Sequence, residues 1–138
     1  MSRSLKSILW VEDERDQYEA LSYPLREKYS LTNALNYVDA IQKINSSNFD
    51  LYIIDVILPS GKKSIEIGEL TKISDIYFGI ELIRKIRKQS NNTPIIVLSI
   101  VADRRIIEEI KKIDQNIIYL SKYDYDADEI IEIINRNI

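Results

Sequence analysis

Leu51-Tyr52-Ile53-Ile54-Asp55 joins an unbroken apolar run, rich in β-branched and aromatic residues, to an aspartate. A short continuous run of this kind reads as a strand buried on both faces, as in the middle of a parallel sheet. The same pattern recurs on either side of it, in Ile8-Leu9-Trp10-Val11, Ile95-Ile96-Val97-Leu98 and Ile117-Ile118-Tyr119-Leu120. Leu31-Thr32-Asn33-Ala34-Leu35 is more polar and suits an edge strand. Helical periodicity fills the intervals. Tyr18, Leu21 and Leu25 share one face, as do Val38, Ile41 and Ile44, then Ile76, Ile80 and Ile83, then Ile106, Ile110 and Ile113, and last Ala127, Ile130, Ile131 and Ile134. Strand and helix alternate along the whole chain, which is the pattern of an α/β domain around a parallel sheet.

The chain has 138 residues, enough for one ordinary domain, so a single domain over residues 1–138 is expected. With 45% hydrophobic and 30% charged residues it can bury a core and is unlike a disordered segment. Pro24 falls inside the first helical pattern and should kink it or remove a turn. The stretch at about 58–78 is longer than the usual link between a strand and its helix, and an extended loop is expected there, with a hairpin turn at Gly68-Glu69.

Cys and His are both absent, which excludes disulfides, thiolate or imidazole metal sites, His-based triads and a phosphohistidine on this chain. Chemistry is left to carboxylates, hydroxyls and ammonium groups. A formal charge of -3 lacks the basic excess of an electrostatic nucleic-acid binder, so no direct nucleic-acid contact is expected. The first apolar run, Ile8 to Val11, is too short for a signal-peptide core or a membrane span. A cytoplasmic location without membrane insertion is the default expectation.

In an open parallel sheet, ligands bind beyond the carboxyl ends of the strands. The residues found there are Glu12-Asp13 after the first strand, Asp55 after the third, Ser99 after the fourth and Ser121-Lys122 after the fifth. Each has an ordinary structural role when taken alone: acidic residues favour a helix N-terminus, an aspartate caps a turn, a serine sits satisfied in a loop and a lysine is solvated. Their joint placement at the ends of four strands argues for a site. Hard oxygen donors without imidazole or thiolate favour Mg²⁺, which keeps several waters and shares a phosphate. Gly61-Lys62-Lys63-Ser64 lacks the glycine spacing and residue order of a phosphate-binding loop and is set aside.

These residues resemble, over nearly the whole chain, the receiver domain of bacterial two-component response regulators. Ile8 to Asp13 is similar to that family's first strand with its acidic pair, and Asp50 to Pro59 to its phosphoacceptor strand. Pro94 to Ser99 is similar to the strand carrying the switch hydroxyl, and Tyr119 to Lys122 to the one carrying the switch aromatic and the phosphate-pairing lysine. The resemblance implies a flavodoxin-like five-stranded parallel sheet of order 2-1-3-4-5 with helices on both faces. It implies Asp55 as phosphoacceptor, with Lys122 and Ser99 completing the catalytic set and Tyr119 as the switch. Mg²⁺ would be held by Glu12, Asp13, Asp55 and the Ile57 backbone carbonyl.

The implied function is a phosphoryl-accepting switch in a phosphorelay, not an enzyme in the usual sense beyond catalysing its own phosphorylation and dephosphorylation. The implied partners are a sensor histidine kinase or histidine phosphotransfer protein and a downstream protein, and a homodimer is left open. The alternative is a pseudo-receiver that binds proteins independently of phosphorylation. Ile100 stands where the family usually has a small residue, Tyr123 where it has proline and Ser99 where threonine is more usual, while Gly79 is similar to the glycine entering the third helix. The resemblance also implies that the side chains at Ile57 and Val101 stand beside the path of a hydrolytic water, and neither can hydrogen-bond one, so slow self-dephosphorylation is expected.

Overall fold

The computed structural model describes residues 5–58, 78–90, 92–100 and 103–138. Its centre is the strand β3 (Leu51–Ile54), every residue of which is buried. Around it run β1 (Ser7–Val11), α1 (Arg15–Ser22), a 3₁₀ turn (Tyr23–Leu25), β2 (Ser30–Ala34) and α2 (Tyr37–Ser46). After β3 come α3 (Phe78–Gln89), β4 (Ile95–Ser99), α4 (Arg104–Ile113), β5 (Ile118–Ser121) and α5 (Ala127–Asn137). All pairings are parallel and the strand order is β2-β1-β3-β4-β5.

Side chains alternate across a strand, so each run feeds two cores. Leu9, Val11, Tyr52, Ile54 and Val97 face α2, α3 and α4 through Ala40, Ile44, Leu82, Ile83 and Ile110. Ile8, Trp10, Leu51, Ile53 and Leu98 face α1 and α5 through Tyr18, Ile130 and Ile134. This two-sided cover explains why the three central strands read as continuous apolar runs.

Pro24 cuts the first helical pattern short as expected: the helix stops at Ser22 and Pro24 lies in the following 3₁₀ turn, because proline cannot donate to a helical ladder. Three other local expectations need correction. The buried residues of α2 are Ala40 and Ile44, with Tyr37 and Ile41 packed against the same core, so Val38 lies off the expected stripe. Ala127 opens α5 and is exposed, the first turn being held by a capping box between Asp126 and Glu129 rather than by packing. β5 is an edge strand whose residues other than Leu120 are only part-buried, so it is not covered on both faces.

Gly79, near the start of α3, sits against the end of β3. A Cβ there would lie 2.1 Å from the Asp55 carbonyl oxygen and 2.7 Å from Val56 Cα, so no side chain fits. The Gly79 N–H donates to the Val56 carbonyl at 3.1 Å, tying the helix to the residue after Asp55. Of the stretch at 58–78, only Leu58 and Phe78 are described; the expected extended loop and its Gly68-Glu69 hairpin lie outside the described residues, as does Val101.

Candidate functional site

The carboxyl ends of the strands set the site residues side by side. The Asp55 N–H donates to the Val11 carbonyl at 3.1 Å, which places Asp55 against Glu12-Asp13 at the end of β1. The Lys122 N–H donates to the Ser99 carbonyl at 2.9 Å, which places the end of β5 against that of β4. Glu12, Asp55 and Ser99 are buried and Asp13 is exposed.

Asp55 is the hub. Its Oδ1 accepts from the Ser99 hydroxyl at 2.9 Å and from the Ile57 N–H at 3.2 Å. Its Oδ2 accepts from the Lys122 ammonium at 3.1 Å. Lys122 also donates to Glu12 Oε1 at 2.5 Å and to Gln17 Oε1 at 3.0 Å. The other Glu12 oxygen accepts from the Glu14 N–H at 3.3 Å.

Carboxylate oxygens of Glu12, Asp13 and Asp55 all lie within 4.8 Å of one another. Close like charges disfavour joint ionisation unless a cation neutralises them. Burial is the main force pushing the Glu12 carboxyl up to about 7, with the Asp55 charge adding to it and Lys122 opposing it. For Lys122, burial disfavours the charge, but the hydrogen bond to Glu12 and the Asp55 charge outweigh it and hold the ammonium above its ordinary value. An all-oxygen acidic group of this kind suits a hard divalent cation, and these carboxylates could hold one.

The remaining expected residues flank this group. Tyr119 packs against the core shared by α2, α3 and α4. Burial pushes its phenol up to about 12, helped by the Asp55 charge and opposed by hydrogen bonding with Ser99. Ile57 reaches Asp55 through its N–H. Ile100, which stands where the family usually has a small residue, is 46% exposed, and Tyr123, which stands where it has proline, is 80% exposed. Gln17 was not singled out in the sequence. α1 begins two residues after Asp13, which puts Gln17 in its first turn beside the crevice, and that proximity was the available signal.

The family model of the response regulator receiver domain matches residues 8–135. This chain belongs to that family. Among curated relatives, the response regulator ArlR of Staphylococcus aureus is 32% identical over 100 residues, covering 72% of this receiver and 38% of ArlR. The receiver thus spans well under half the length of the curated relatives it matches. Among solved structures, a receiver domain protein from Methanospirillum hungatei shares its fold with a TM-score of 0.77 at 22% identity, over 96% of this chain and 93% of that one. The response regulator TrrA from Thermotoga maritima, solved in complex with Mg²⁺-BeF, has a TM-score of 0.72 at 29% identity, over 97% of this chain and 100% of that one. Among the described residues, no helix is long and apolar enough to cross a membrane.

Proposed function

We propose that this receiver is a phosphorylation-driven switch that takes a phosphoryl group onto Asp55 from a phosphohistidine on a sensor histidine kinase or histidine phosphotransfer protein. A carboxylate oxygen of Asp55 attacks phosphorus, the P–O bond forms as the P–N bond breaks, and the imidazole nitrogen leaves with the electron pair. The donor histidine lies outside these 138 residues, which contain no His.

Glu12, Asp13 and Asp55 supply carboxylates for Mg²⁺, with the Ile57 backbone carbonyl as a further ligand. When bound, the cation offsets the charge of the transferring oxygens. The presence of Mg²⁺ in the TrrA structure supports that choice of metal. Lys122 pairs with a phosphoryl oxygen, and Ser99 turns from the Asp55 carboxylate to another. The space it leaves admits Tyr119, altering the surface made by α4, β5 and α5 on which a downstream protein or a second copy docks.

The observation that carries this reading is the Asp55 carboxylate itself: buried at the end of the central strand, it is contacted by Ser99, Ile57 and Lys122, with Glu12 and Asp13 alongside. The test is incubation with Mg²⁺ and a small phosphodonor, followed by intact-mass measurement. Wild type should gain one phosphoryl group and Asp55→Asn none. Equal labelling of the two would remove Asp55 as the acceptor, and no labelling of either would favour the phosphorylation-independent binding module.

A further inference from the structure

Asn33 lies inside β2, although asparagine is depleted in strands. Its side chain explains the choice. The Nδ2 donates to the Trp10 carbonyl at 2.9 Å and to the Glu12 carbonyl at 3.2 Å, with the Ala34 carbonyl at 3.3 Å beside them. The Glu12 carbonyl belongs to the peptide that Glu12 shares with Asp13, and a peptide is planar, so whatever holds that oxygen also holds the Asp13 nitrogen and Cα. We propose that Asn33 is a positioning residue for the cation site, fixing the Glu12–Asp13 peptide and thereby aiming the Asp13 carboxylate. The inference rests on the reading of Glu12, Asp13 and Asp55 as Mg²⁺ ligands.

Two observations give the amide this task. The first is where the ladder stops. The Glu12 N–H donates at 3.0 Å to the carbonyl of Ala34, the last residue of β2. Beyond it the chain turns into α2, with Asn36 as the N-cap. β2 offers no further strand residue to the Glu12 carbonyl, and the Asn33 amide takes that place.

The second is how the three carboxylates are held. Those of Glu12 and Asp55 are buried and fixed by their own hydrogen bonds, to the Glu14 N–H and Lys122 for the one and to Ser99, the Ile57 N–H and Lys122 for the other. Asp13 is exposed, so packing does not fix its direction and the main chain that carries it must.

Asn33 is itself braced from the other side. Its carbonyl accepts from the Lys43 ammonium at 2.9 Å, Lys43 pairs with Asp39 Oδ2 at 3.0 Å, and that oxygen accepts from the Leu35 N–H at 3.1 Å. Two side chains of α2 thus grip the outer edge of β2, and the amide works from a fixed base.

Asn33→Thr suits a strand but is too short to span both carbonyls. In a Mg²⁺ titration followed by Trp10 fluorescence, it should bind about three- to fivefold more weakly than wild type, the factor that one ordinary hydrogen bond supplies. A role confined to folding would weaken the site whatever stands at position 13. Positioning through Asp13 predicts instead that Asn33→Thr loses nothing further in an Asp13→Ala background. Wild-type affinity in Asn33→Thr, or the same fold loss in both backgrounds, would overturn the proposal.

A second measurement needs neither metal nor variant. In metal-free wild type, followed by ¹⁵N-resolved NMR, the side-chain amide protons of Asn33 should exchange more slowly than those of the exposed Asn116. Exchange as fast as that of Asn116 would overturn the contact. If wild type binds no Mg²⁺, the cation reading fails and the aiming role fails with it; if wild type binds Mg²⁺ and Asn33→Thr matches it, only the role of Asn33 fails.

Discussion

The Ser99 hydroxyl donates to Asp55 Oδ1 at 2.9 Å across a contact between two buried residues, one at the end of β4 and one just beyond β3. Ser99→Ala removes this donor and leaves Oδ1 the hydrogen bond from the Ile57 N–H at 3.2 Å. A buried hydrogen bond to a charged group contributes more than an average one, so unfolding in urea should show a loss of about 2 kcal/mol. An unaltered midpoint would mean that the hydroxyl is satisfied elsewhere and does not restrain the carboxylate.

Cation binding should depend on Asp13 although the fold does not. Asp13 is exposed, so Asp13→Ala should unfold at the wild-type midpoint, yet weaken Mg²⁺ binding by about tenfold or more. Trp10 provides the signal. It is the chain's single tryptophan, stands two residues before Glu12 and meets Tyr18 of α1 edge-on at 5.6 Å. A Mg²⁺ titration followed by its fluorescence, with the same affinity in both proteins, would take Asp13 out of the cation site.

Much of this was legible in the sequence because burial on both faces leaves no polar alternation. β1, β3 and β4 therefore announce themselves, and the candidate site residues follow each run directly. β5 presents the same kind of run, but an edge strand and a central strand differ by a neighbour that lies elsewhere in the chain, so its partial exposure could not be read. The stripe on α2 was misplaced for a related reason. Val38 is the more apolar choice, whereas the helix turns Tyr37 and Ala40 inward, and a small residue is favoured where a helix sits close on a sheet. Gln17 escaped notice because a glutamine in the first turn of a helix has a ready explanation as a capping residue.

Away from the site, Arg87 of α3 donates through Nε to Asp114 Oδ2 at 2.9 Å, joining α3 to the end of α4. The Asn116 N–H, at 2.9 Å from Asp114 Oδ1, is the main cause holding this carboxyl below its ordinary value of 3.8, with Arg87 adding to it against the effect of burial. A carboxyl lowered on folding contributes stability that is fully present above its unfolded value and is lost as pH falls through its folded value. Asp114→Asn should thus cost about 1 kcal/mol at neutral pH. The gap from wild type should close as pH drops below 3.8. A gap that stayed constant into acid would show that the charge contributes nothing.

The lifetime of the phosphorylated form should respond to Ile57, whose N–H touches the Asp55 carboxylate. Its aliphatic side chain cannot orient a water for attack on the aspartyl phosphate. Ile57→Asn supplies a group that can, so phosphate loss should quicken by roughly tenfold, less than the hundredfold or more of a full general base, because an amide orients the water without taking its proton. Intact-mass decay at or below the wild-type rate would place the water's path elsewhere.

The absence of room at Gly79 has a mechanical meaning. Behind the Asp55 carbonyl, the start of α3 stands so close that a single added carbon would overlap it. The Asp55 main chain accordingly has a backstop: were a phosphoryl group added to its side chain, as proposed, the strand could not recoil toward α3. Yielding is left to the groups in front, the Ser99 hydroxyl and the Lys122 ammonium, which belong to β4 and the end of β5. The glycine therefore gives the displacement a direction, away from α3 and toward the far edge of the sheet.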